Sequence, residues 1–118
     1  MTPATEPQTR AVLDVIRERF RQINEEGFKA DGDDKYRVSQ LAMAAVNYAA
    51  AAVVTIRLGG KSYDSTPPFV QWIGIDWPWE PSWWKPGAPR RMLVKAAALI
   101  IAEIERLDRA EEGRGSHG

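Results

Sequence analysis

Residues 72–91 constrain the fold more than any other stretch of this chain. Read from Gln71 they run QWIGIDWPWEPSWWKPGAPRR, and all five tryptophans of the protein fall within thirteen of these positions. Pro78, Pro81, Pro86 and Pro89 are threaded among and after the indoles. Proline lacks the backbone donor and its ring clashes with the preceding turn, so no ordinary helix can run through the segment. A stiff, non-helical aromatic platform is predicted, with helices arranged around it.

Helical spacing appears on both sides. Val12, Val15, Ile16, Phe20 and Ile23 recur at three- and four-residue intervals, which predicts a helix over residues 9–26 with Thr9 as N-cap and Gly27 as stop. Arg17, Glu18, Arg21 and Glu25 read as its solvated face. Residues 38–57, VSQLAMAAVNYAAAAVVTIR, hold seven alanines and almost no charge. A helix apolar nearly all round is buried on most sides, and small side chains let neighbouring backbones come close. This helix is expected at the centre, ending at Gly59-Gly60, with Asn47 and Tyr48 either in core hydrogen bonds or lining a ligand site. The last helix, residues 89–109, opens on a proline whose missing donor costs nothing there. Its face of Leu93, Ala96, Ala97, Ile100, Ile104 and Leu107, widened by Val94, Ala98 and Ile101, is expected to pack lengthwise on the central helix.

The fold class expected is mainly α: three long helices with a Trp/Pro-rich connector, in which KSYDS and PFVQWIGI have the composition of a short β-hairpin. Residues 9–110 form one domain between a disordered leader, 1–8, and a disordered tail, 111–118. Three helices leave little protein to wrap the alanine-rich one. A homo-oligomer is therefore expected, with Ala45 and Ala49 near the subunit contact.

Composition removes several kinds of chemistry. Sixteen basic residues balance sixteen acidic ones, which takes away the long-range attraction that a binder of polymeric nucleic acid relies on. There is no cysteine, and the lone histidine, His117, sits in the polar tail. Asp31, Asp33 and Asp34 cluster around Gly32 without the alternate-position ligands of a calcium loop, and read as turn and capping residues. No metal and no cofactor are expected. Without a basic, apolar leader or a run near ~20 apolar residues, the expectation is a cytoplasmic protein with no membrane contact.

Binding chemistry gathers where the platform meets the last helix. From Lys85 through Arg90, Arg91 and Lys95 there is no acid. Cations at a helix N-terminus are mildly disfavoured, so something negative must compensate. Asp76 and Glu80 of the platform are one source, and an anionic ligand is the other. Indoles stack on bases at ~1–3 kcal/mol each. Trp77, Trp79, Trp83 and Trp84 with Lys85, Arg90 and Arg91 are thus the candidate site for a small phosphorylated nucleotide. The competing structural reading is that the tryptophans plug the open end of a helical bundle. The same aromatic surface would also suit a protein partner.

The run WPWEPSWWKPGAPRRMLVKAAALIIAEIERLDR, preceded by EEGFKADGDDKYRVSQLAMAAVNYA, resembles a family of small accessory proteins of tailed phages and prophages, across about residues 18–50 and 76–109. The segment KSYDSTPPFVQWIGID departs from that family's pattern as an insertion. The resemblance implies a phage accessory protein, a class that often opposes host defence by sequestering a nucleotide signal or by blocking a defence protein. Glu105-x-x-Asp108 resembles half of the magnesium-binding pattern of all-α nucleoside triphosphate pyrophosphohydrolases. The other half is missing, because Glu25 and Glu26 are adjacent and Gln22 stands where a pairing glutamate belongs. Non-catalytic capture of a nucleotide is the leading expectation. A module that blocks a host protein is the second, and a magnesium-dependent hydrolase is the third.

Overall fold

The computed structural model describes residues 8–25, 39–59 and 74–115. Three helices dominate them, α1 (Arg10–Glu25), α2 (Gln40–Arg57) and α3 (Pro89–Gly115), with a 3-10 turn at Pro81–Trp83 in the connector before α3. The mainly helical class expected from the sequence is therefore observed. KSYDS, most of PFVQWIGI and the Asp31, Asp33 and Asp34 turn lie outside the described residues, among which no strand occurs.

The helix ends follow local chemistry. Thr9 Oγ1 accepts from the Val12 N–H at 3.2 Å and the Thr9 carbonyl accepts from Leu13, so two donors of the first turn are satisfied. After α2, Gly59 adopts φ +81°, where a Cβ would meet the following carbonyl, and its N–H donates to the Ile56 carbonyl at 3.2 Å. Proline opens α3 as expected, but the helix runs to Gly115, past the end at 109 that the apolar pattern marks and into the expected tail.

The core is the seam between α2 and α3. Leu41, Ala44, Ala45, Tyr48, Ala51 and Ala52 gather with Met92, Ala96, Leu99 and Ala102, and the alanines allow the two backbones to approach closely. Ala45 is 1 % exposed, so it lies inside the subunit and not at the subunit contact expected for it. Two buried polar side chains on α2 are bonded to backbone. Thr55 Oγ1 donates to the Ala51 carbonyl at 2.8 Å, while Asn47 Nδ2 donates to Met43 at 2.9 Å and across to Ile75 at 3.1 Å. By length and composition α2 would pass for a membrane span, yet half of it is buried within the fold, as in a core helix.

The other two helices meet the sequence expectation only in part: on α3, Val94, Ala96 and Ala98 of the expected face are buried, but its larger side chains are not. On α3 the strongly apolar residues Leu93, Ile100, Ile104 and Leu107 are 44–51 % exposed, and the arc through Met92, Ala96, Leu99 and Ala102 faces α2. An alanine surface is best met by an arc that is itself rich in alanine, since branched side chains at every turn would hold the helices apart. On α1, Val12, Ile16 and Phe20 of the expected stripe are exposed, as is Leu13, and Val15 and Ile23 are half-buried, while Glu18, Arg19 and Gln22 are buried. Burying charge is tolerable only where it is paired. Arg91 of α3 meets Glu18, and Arg19 donates from Nε and Nη2 to Glu105 at 3.1 and 2.9 Å.

Candidate functional site

The tryptophans divide into a packed group and an exposed one. Trp77, Trp79 and Trp84 are partly buried against the core. Trp84 stacks on Tyr48 with ring centroids 4.7 Å apart, and Trp77 stands edge-on to Tyr48, Trp79 and Trp84 at 5.1–5.4 Å. Such offset and edge-to-face pairs match the quadrupoles of the rings. Trp83 is 43 % exposed, with the Lys85 ammonium 5.9 Å from its ring centre.

Backbone contacts fix this cluster in place. Pro81 starts the 3-10 turn, closed by Trp83 N–H to Glu80 and Trp84 N–H to Pro81, both at 3.0 Å. The Trp77 indole donates to the Glu80 carbonyl at 3.1 Å. Tyr48 accepts from the Lys85 N–H at 3.2 Å, so consecutive residues of α2, Asn47 and Tyr48, hold the connector at Ile75 and Lys85. Both polar interruptions of the central helix therefore act as fasteners. Lys95 donates to the Lys85 carbonyl at 2.8 Å and lies 5.4 Å from the Tyr48 ring centre, which ties α3 to the same cluster.

The arginines at the start of α3 face α1. Arg90 donates to Asp14 at 2.9 Å and Arg91 pairs with Glu18 at 2.6 Å. Neither source of negative charge named from the sequence, the platform acids or a ligand, supplies these bonds. Asp14 and Glu18 stand one turn apart on α1, and nothing in their local spacing ties them to residues more than seventy positions later. Glu18 also takes a two-pronged bond from Arg21 at 2.8 and 2.7 Å and one from Gln22 at 3.1 Å. Burial by itself would raise the pKa of Glu18, but the bonds and charges of Arg21 and Arg91 outweigh it and hold the carboxyl below its ordinary value.

Between α1 and the start of α3 lies an open groove of about 590 Å³, lined by Asp14, Arg17, Glu18, Arg21, Arg90 and Arg91 together with Ala88 and Val94. Four guanidinium groups against two carboxylates leave an excess of two positive charges. Arg17 is the loosest of them, with a side chain 75 % exposed and only a 3.5 Å contact to Asp14. The groove adjoins a second hollow through Glu18 and Arg21. This hollow, about 20 Å³, is bounded by Gln22, Tyr48, Trp77, Trp79, Trp83 and Lys95. It has room for about one water molecule and not for a base. Arg17 and Arg21, which the sequence placed on a solvated face, thus join Arg90 and Arg91 around one space. Lys85 and Trp77, Trp79 and Trp84 do not line the groove, and Trp83 stands next to it across the small hollow.

Of the carboxylates weighed for metal binding, Glu26, Asp31, Asp33 and Asp34 lie outside the described residues. Glu105 is held by Arg19 and Glu25 by Arg21, and among the described residues no three acidic, histidine or cysteine side chains converge on one point. Comparison with models of protein families, with curated proteins and with solved structures returns no match.

Proposed function

We propose that this chain is a phage-type accessory protein that captures a small phosphorylated nucleotide without transforming it. The observation that carries this reading is the groove between α1 and α3, where four arginines outnumber two carboxylates beside an exposed indole. A phosphate or pyrophosphate would displace water from Arg17, Arg21, Arg90 and Arg91, and planar guanidinium groups suit its oxygens. Trp83, the most exposed of the four described indoles, is the one that would stack on a base, while Trp77, Trp79 and Trp84 pack against the core. Capture of this kind needs no general base. It suits a chain with no cysteine and a single histidine at position 117.

The test is a thermal-shift screen against cyclic di- and trinucleotides, cyclic ADP-ribose isomers and nucleoside triphosphates, each with and without magnesium. A stabilising ligand should be recovered intact from the denatured protein, and Arg17→Ala with Arg90→Ala should weaken it at least tenfold while the fold persists. A product formed only with magnesium would replace capture by hydrolysis. No shift with any nucleotide would overturn the reading. A module that binds a host protein is the second reading, favoured by the exposed Val12, Leu13, Ile16 and Phe20 stripe of α1.

A further inference from the structure

The outward face of α3 carries a pattern of its own. Leu93, Ala97, Ile100, Ile104 and Leu107 follow at steps of four, three, four and three, the spacing that keeps one seam on a helix facing a second helix. Leu93, Ile100, Ile104 and Leu107 are 44–51 % exposed, on the side of α3 away from Met92, Leu99 and Ala102. Four aliphatic side chains in a row on one helix are unusual for a surface in water.

The charges along this face are arranged end against end. Arg90 stands before the seam, whereas Asp108 and Glu111 lie on the same side at its far end, and all three are exposed. Two copies of α3 laid side by side in the same direction would put Arg90 on Arg90 and Glu111 on Glu111. Laid in opposite directions and centred on Ile100, they put Leu93 against the second copy's Leu107 and Arg90 beside its Glu111. Arg90 has donors left for this after its bond to Asp14. The charge pattern is complementary to itself only in the second arrangement, which a two-fold axis perpendicular to the helices generates.

We infer that the occupant of this face is a second copy of the chain, docked through an antiparallel α3–α3 seam with Ile100 at the two-fold axis. The contact is separate from the alanine-rich face of α2, which is used up inside the subunit. It shares only Arg90 with the proposed ligand groove, and the substitutions at Leu93, Ile100, Ile104 and Leu107 lie outside that groove, so they test the seam separately.

The absence of cysteine makes the register directly testable. Under mild oxidation, Ile100→Cys should give a disulfide-linked dimer, and a mixture of Leu93→Cys with Leu107→Cys protein should give a mixed one. Leu93→Cys alone should stay unlinked, because its two copies would be about 20 Å apart at 1.5 Å per residue. Sedimentation of the unmodified protein should show twice the monomer mass, and Ile104→Glu, checked for helix content by circular dichroism, should return it to monomer. Three results would overturn the inference: monomer at every concentration, linkage of Leu93→Cys with itself, or a dimer that Ile104→Glu leaves intact. A monomer that instead floats with phosphatidylglycerol vesicles would assign the seam to a lipid surface.

Discussion

Replacing Glu18 by glutamine keeps the shape of the side chain and removes its charge. The carboxylate is 1 % exposed and takes bonds from Arg21 at 2.8 and 2.7 Å, from Arg91 at 2.6 Å and from Gln22 at 3.1 Å. A glutamine oxygen can still accept from one guanidinium, but its NH₂ would point a donor at the other. Breaking a fully buried ion pair costs about 3–5 kcal/mol. Here the Arg21 and Arg91 side chains are 29 % and 44 % exposed, so water recovers part of their solvation. A cost of roughly 2 kcal/mol remains, a fall in Tm of about 6–12 °C for a domain of this size. Because the folded-state pKa of Glu18 is lowered, its charge stabilises the fold fully above the ordinary value of 4.5, and that contribution is lost as pH falls through the lower, folded value. The difference between the parent and Glu18→Gln should therefore be full at neutral pH and shrink in acid below 4.5. Urea unfolding followed by circular dichroism across this range measures it. A difference under about 0.5 kcal/mol at neutral pH, which is the scale of an ordinary surface change, would refute the reasoning. So would a difference that does not change on acidification.

Other substitutions separate further parts of the argument. Gly59→Ala places a Cβ at φ +81° and should cost about 1–2 kcal/mol, while Gly87→Ala, in open space without a positive φ, should be near neutral; paired thermal melts compare them. Trp84→Ala removes the ring stacked on Tyr48 and should cost about 3 kcal/mol, whereas the exposed Trp83→Ala should leave Tm nearly unchanged and lower only nucleotide affinity. Asn47→Ala frees the Ile75 carbonyl and should cost about 1–3 kcal/mol, with a red shift of tryptophan emission as the connector lifts; unchanged emission would mean that other contacts hold it.

Much of this fold is written locally. Thr9, Gly59 and Pro89 mark helix ends because capping, left-handed turns and a missing donor act within a few residues. Periodicity also announced the apolar stripes of α1 and α3, but a stripe does not say what will face it. On α3 the alanine surface of α2 selected the arc through Met92 and Leu99, which left Leu93, Ile100 and Ile104 outside. For α1 the inward face was decided by Arg91 and Glu105, partners far away in the chain. The same distance hid half of the candidate site. Arg90 and Arg91 stand out as a basic helix start lacking a nearby acid, whereas Arg17 and Arg21 join them only once α1 and α3 lie together.

The aromatic cluster gives the molecule a built-in optical probe. Tyr48, Trp77, Trp79 and Trp84 lie with centroids 4.7–5.4 Å from their neighbours at fixed angles, close enough for their electronic transitions to couple. Their dichroism therefore depends on the connector being seated on α2, while the amide bands report on the helices. Coincidence of the two signals during unfolding would make connector and helices one cooperative unit. Loss of the indole signal first would mark the connector as a lid that lifts from an intact helical frame.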